Sequence, residues 1–141
     1  MPTATADRRD TFRVSRDRQH VPSARARVRK TLAAWGVESA LADDVTLSAD
    51  ELLSNAIKHC RVTFAEIEIT VSVQGGALLL EVSDPDKGKI PELHIADSDD
   101  ETGRGLFLVA RLADEWGHRY RTYAKCVWAR FVIPDGDTCT D

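Results

Sequence analysis

Residues 66–73, Glu-Ile-Glu-Ile-Thr-Val-Ser-Val, alternate polar and apolar side chains without a break. A period of two puts Ile67, Ile69, Val71 and Val73 on one face of a β-strand. Gly75-Gly76 follows, the composition of a tight turn, and Ala77 to Ser83 forms the returning strand of a hairpin. Strands with one polar face belong to a sheet that is covered on one side and meets water on the other.

The chain offers three helices as that cover. Ser23 is placed to cap a first helix whose apolar stripe is Ala24, Val28, Leu32 and Trp35, stopped by Gly36. A second helix, from about Leu41 to Cys60, carries Val45, Ala49, Leu52, Leu53, Ala56 and Cys60 on one face. A third is expected from Arg104 to Trp116, ended by Gly117. Thr11 to Ser15 supplies a first strand, and His118 to Tyr123 with Lys125 to Ile133 a closing pair. The expected fold is therefore α+β: a two-layer sandwich, with a mixed, mostly antiparallel sheet covered on one face by three helices.

At 141 residues the chain has the size of one domain. Residues 10–134 are expected to form it, with 1–9 a disordered arm and 135–141 a flexible tail. Between Asp84 and Thr102 lies a long irregular stretch that includes the acidic run Asp97-Ser98-Asp99-Asp100-Glu101. Loops of that length in compact domains are often lids.

Composition excludes several classes. No apolar run is long enough to span a bilayer, and the first residues lack the apolar segment of a signal peptide. Cys60, Cys126 and Cys139 are too widely spaced for a zinc motif, so reduced thiols and a cytoplasmic location are expected. The net charge of −4 conceals an asymmetry, since residues 1–30 hold nine basic and three acidic side chains. That basic segment is either a solvated arm or a docking face for an acidic protein. Direct nucleic-acid binding fits an acidic chain poorly, since the basic arm has no interleaved aromatics.

Three features carry possible chemistry. On the second helix Glu51, Asn55 and His59 recur at i, i+4 and i+8, making a stripe about 100° from the apolar one. Such a stripe is often plain surface, although a mid-helix Asn works against helix propensity. On the hairpin's second strand Asp84 shares parity with Leu78, Leu80 and Val82, so it faces the covered side. A carboxylate there needs a partner: an adenine amino group is one, and a cap on the turn at Pro85 is another. The third feature is Gly103-Arg104-Gly105-Leu106, a glycine pair opening a helix behind the long loop. Glycines admit a phosphate to the backbone, and a helix N-terminus attracts anions. The chain has neither a P-loop nor the third glycine of a dinucleotide fingerprint.

In this order and spacing the three features resemble the boxes of the GHKL (histidine-kinase-like ATPase, Bergerat fold) superfamily. Glu51-Leu-Leu-Ser-Asn55-Ala-Ile-Lys-His59 resembles its N box, Asp84-Pro-Asp-Lys-Gly88 its G1 box, and Gly103-Arg-Gly105-Leu-Phe-Leu-Val its G2 box. Leu112-Ala-Asp-Glu-Trp-Gly117 and Lys125-Cys-Val-Trp128 are similar to the actinobacterial branch of anti-sigma-factor serine/threonine kinases, and the resemblance covers about residues 10–134. It implies that Asn55 ligates the magnesium bridging the phosphates of ATP, and that Glu51 acts as general base or orients a water or metal ligand. Asp84 would receive the adenine amino group, and Gly103, Arg104, Gly105 and Leu106 would close over the phosphates with Gly88 in the preceding box. Lys58 and His59 would sit at the mouth, His59 equally as a packing or capping group. The implied partners are a sigma factor, a STAS-domain antagonist that is phosphorylated, and a second copy of the chain.

Two departures stand out. Asp86 replaces the middle glycine of the G1 box. Ala124-Lys125-Cys126 stands where the pattern has Gly-x-Thr or Gly-x-Ser, removing a hydroxyl expected on the adenine side. A nucleotide-dependent binding module without kinase activity is therefore a second reading. A domain that binds no nucleotide is a third, and it leaves the Glu51–Asn55 stripe unexplained.

Overall fold

A computed structural model describes residues 8–60, 65–85, 101–121 and 124–134, the side chains of 101–105 excepted. Five strands and three helices run in the order β1 (Arg8–Ser15), α1 (Val21–Ala34), α2 (Ser39–His59), β2 (Glu66–Gln74), β3 (Ala77–Asp84), α3 (Glu101–Leu112), β4 (Glu115–Tyr120) and β5 (Lys125–Val132). The strands form one sheet in the order β1-β2-β3-β5-β4, and every neighbouring pair is antiparallel. The hairpin turns at Gly75, whose φ of 60° is open to glycine at no steric cost.

Parity sorts the sheet. Ile67, Ile69 and Val71 on β2, and Leu78, Leu80 and Val82 on β3, are almost wholly buried. Ala129 and Phe131 of β5 stand opposite Leu80 and Leu78 and complete the same apolar layer. Burying one such side chain contributes about 1.5–3 kcal/mol, so this layer is the main source of stability. Val28 and Leu32 of α1, Val45 and Leu53 of α2, and Leu106 and Val109 of α3 close over it. The two-layer α+β sandwich is as expected, and the sheet is wholly antiparallel among the described strands.

The other face of the sheet carries charge and hydroxyls. Glu81 is 4% exposed although it lies on that side, because Arg119 and Arg121 both donate to its Oε2. Arg13 of β1 donates to Glu68 of β2 at 3.1 Å, and Thr11 and Thr70 share a hydroxyl hydrogen bond at 3.0 Å. A neutralised carboxylate can stay under its arginines where a lone one could not.

α1 begins two residues before Ser23. Pro22 occupies its first turn, where a missing N–H costs nothing, and the Ser23 hydroxyl donates to the His20 carbonyl. Ser23 is thus a first-turn residue rather than the cap. At the other end Gly36 adopts φ 76°, its N–H reaching the Ala33 carbonyl while Val37 N–H reaches Leu32, a Schellman closure. Arg25, Arg27 and Arg29 pair with Asp50, Asp10 and Asp43 of this same chain. Part of the basic charge of the first thirty residues is thus balanced inside the fold. Asp10 accepts from Arg27 and also from the Thr31 hydroxyl, tying the edge strand to α1. The Arg27 bond holds the Asp10 carboxyl below its ordinary range against the opposing effect of burial. That contribution is present above the ordinary carboxylate pKa and is lost as pH falls through the lowered one.

The third helix departs from expectation. It ends at Leu112, not Trp116, because Asp114 docks on β5: its N–H donates to the Arg130 carbonyl and its carboxylate accepts from Val132 N–H at 2.7 Å. Trp116 and Gly117 then belong to β4. Gly117 does not stop a helix; it makes room for the Trp128 indole opposite, which a Cβ would meet at 2.9 Å. Gly117→Ala is expected to cost about 1–3 kcal/mol in urea unfolding, since the indole must move off its strand. An unchanged midpoint would show that the indole is free to slide.

Candidate functional site

α2 presents two faces at once. Leu52, Leu53 and Ala56 go into the core, and Glu51, Asn55 and His59 are half-buried along its border while Lys58 is exposed. The helix is capped at its start by Glu38, whose carboxylate accepts from Leu41 N–H. It packs against both α3 and β3, the two elements that carry the other candidates.

β3 ends on Asp84, and the strand's alternation directs that side chain to the helix layer with Leu80 and Val82. It is 4% exposed. Directly opposite on β5 stands Lys125, 6% exposed, the first residue of its strand. A buried acid and a buried base thus share one rung at the edge of the helix-facing layer.

The glycine pair lies inside α3, not ahead of it. The helix starts at Glu101, which places Gly103, Arg104 and Gly105 in its first turns. With Glu101 already helical, the Gly105 N–H has the Glu101 carbonyl as its acceptor four residues back, while the positive end of the helix dipole still favours an anion at this end. Leu106 is fully buried with Val109 in the core, so its side chain anchors the turn from below. Gly88 and Asp86 lie outside the described residues.

Cys126 is where the structure corrects the sequence reading. It pairs with Ser83 across the sheet and points to the outer face, away from Asp84. The position of the missing hydroxyl lies on the outer face; the residue on the rung of Asp84 is Lys125. The signal was available, because Val127 is apolar and strand parity places Lys125 with it. Burial raises the Cys126 thiol pKa, an effect that a hydrogen bond with Ser83 partly opposes.

Among the described residues no three His, Cys, Asp or Glu side chains converge on a metal site. No helix among them is long and apolar enough to cross a membrane. What the arrangement does offer is a carboxylate–ammonium rung, a half-buried carboxylate and carboxamide one turn apart, and a helix N-terminus with glycines. Those are, respectively, groups for a heterocycle edge, for a cation or proton, and for an anion.

Comparisons with known proteins bear on the family and the fold. Residues 14–131 match the model of the histidine kinase-like ATPase domain family. A solved structure of the RsbU and RsbW domains of Rv1364c from Mycobacterium tuberculosis superposes with a TM-score of 0.69 at 15% identity, over 89% of this chain. This chain spans 32% of that one's length. No curated protein matches significantly.

The burial of both described cysteines generates a test. Cys60 and Cys126 are 2% and 0% exposed, and a protonated, buried thiol is a poor nucleophile. Both are expected to resist alkylation in the native protein and to react fully in denaturant, read by mass spectrometry of peptides. Rapid native labelling of Cys126 would mean that the outer face opens locally.

Proposed function

We propose that this chain, which belongs to the histidine kinase-like ATPase domain family, is an ATP-binding anti-sigma regulatory factor. In this reading it sequesters a sigma factor and phosphorylates a serine or threonine on a STAS-domain antagonist. The observation that carries the nucleotide part is Asp84. A carboxylate 4% exposed at the end of the central strand suits an amino group of a bound base. The anti-sigma part rests on the resemblance of the Leu112–Gly117 and Lys125–Trp128 segments to that branch of the family.

The donor set fits the nucleotide. Gly103, Arg104 and Gly105 would hold phosphate oxygens at the first turn of α3, with Gly88 completing the cradle and Lys58 and His59 at its mouth. Asn55 would supply one oxygen to a magnesium ion, which prefers to keep several waters and phosphate ligands. Magnesium-bound ATP supplies an activated phosphoryl group. Glu51 would take the hydroxyl proton of the partner's serine as the serine oxygen bonds to the γ-phosphorus and the bond to ADP breaks. The added phosphate places about −1.5 to −2 charges in the interface and so changes which partner is held. A homodimer through the outer face of the sheet and a cytoplasmic location belong to the same reading. A nucleotide-dependent module without transfer is the alternative, favoured by Asp86 in the phosphate box.

Magnesium ATP at 100 times its dissociation constant should stabilise the fold by about 2.7 kcal/mol in thermal or urea unfolding. Asn55→Ala should remove most of the magnesium-dependent part; full retention would reassign the metal ligand. Glu51→Gln should keep nucleotide affinity and slow single-turnover transfer to the STAS-domain substrate by about 10²–10⁴-fold. Transfer at the wild-type rate would show that Glu51 orients water or structure. No transfer by the wild type, with the partner still released on nucleotide exchange, would establish the binding module.

A further inference from the structure

Glu81 stands on the outer face of β3 opposite Trp128 of β5, and Ser83 with Cys126 is the next pair on that face. Its carboxylate is buried although the described helices pack on the other side of the sheet. Oε2 accepts from Arg119 of β4 and, at 3.3 Å, from Arg121 just beyond that strand. Because β5 runs between β3 and β4, these bonds cross it on the outer face. On the rung of Arg119 lie Cys126 and Ser83, small enough to leave room for a guanidinium. Arg121 also lies 3.8 Å from Glu68 of β2, which Arg13 of β1 holds from the other side. On the inner face, Tyr120 pairs with Lys125, which stands opposite Asp84. These are the last rungs of their ladders, and β4 is bonded along one side only. Ladder ends are the places where a sheet opens first.

We propose that Glu81 is a positioning residue for the base end of the candidate site. From the outer face it holds the end of the β4–β5 hairpin against β3, and so keeps Tyr120 and Lys125 on the rung of Asp84. This rests on the nucleotide-binding reading above, in which Asp84 accepts from the adenine amino group. Glu81 touches no ligand and acts through the register of three strands. Charge makes the bridge firm, since hydrogen bonds between ionised groups are about twice as strong as neutral ones. A glutamine keeps the shape of Glu81 and removes that charge. Arg119 and Arg121, 42% and 41% exposed at their side chains, then turn to water.

Two readouts on the full chain carrying Glu81→Gln test the assignment. The first is native alkylation with iodoacetamide, read for each cysteine by peptide mass spectrometry. Cys126 should label about 5-fold faster than in wild type, the worth of one lost hydrogen bond, while Cys60 in the helix-side core stays protected. The second is calorimetric titration with the magnesium complexes of ADP and of IDP, whose base carries a carbonyl in place of the 6-amino group. Wild type should prefer ADP by about 10- to 100-fold. Glu81→Gln should move that preference toward parity by about 2- to 30-fold and leave IDP affinity as it was. The assignment is overturned if the variant keeps the wild-type preference, if both nucleotides weaken alike, or if Cys60 labels together with Cys126. Arg121→Gln, at an exposed position, carries the same two readouts should Glu81→Gln fail to fold. If wild type binds ADP and IDP alike, or binds neither, the reading of Asp84 falls and this inference with it. The labelling, done without nucleotide, tells that outcome apart from a bridge that holds nothing.

Discussion

The central strand β3 is the element on which the rest is arranged. It has neighbours on both sides, β2 and β5, and its alternation decides what each face of the sheet can be. Leu78, Leu80 and Val82 demand a cover, and only amphipathic helices of this chain supply one. The same period of two then carries Asp84 to the covered side with no freedom to turn away. A shift of register by one residue would expose the apolar layer and bury Glu81 and Ser83 beneath the helices. The stability of the layer therefore fixes the position of the site's carboxylate.

α2 links that layer to the chemistry. Its 21 residues must satisfy the core with one stripe and present Glu51, Asn55 and His59 along its border. Because the core stripe is held by Leu52, Leu53 and Ala56, packing fixes where the intervening polar residues stand. This is how a fold gains rigidity at a polar site: neighbouring side chains in the same turns are locked. α3 repeats the device, since buried Leu106 and Val109 hold the turn that contains Gly103 and Gly105.

Much of this was legible from residues alone, because local patterns and tertiary demands coincide. The hairpin at Gly75-Gly76, the apolar stripes of α1 and α2, and the stop at Gly36 each follow from one physical rule. What was not legible depends on contacts distant in sequence. Nothing near Leu112 announces that Asp114 will accept from Val132 N–H, yet that bond turns helix into strand. Gly117 reads as a helix stop until Trp128 is placed against it. Pro22 takes a place in the first turn of α1, which puts Ser23 inside the helix and not at its cap. At the candidate site, the half-burial of Glu51 and Asn55 and the burial of Asp84 follow from spacing and parity, but their surroundings do not.

Lys125 shows why a motif is an incomplete description of a site. Read as letters, Ala124-Lys125-Cys126 records the loss of a hydroxyl. Read as a strand, it places Cys126 under the outer face with Ser83 and Lys125 on the rung of Asp84, so the residue that faces the helix layer is a charged one. Charge alters a buried site more deeply than a missing hydrogen bond does, because it changes which other charges can remain there. Asp84 and Glu81 then follow the same logic on opposite faces of one strand. Glu81 is accommodated by Arg119 and Arg121 from the sheet's last hairpin, and Asp84 has a lysine from the strand between. The outer pairing involves half-exposed arginines and leaves the carboxylate committed to them. On the inner rung Asp84 and Lys125 are both buried, so removing either would change the charge that the other meets at the edge of the apolar layer.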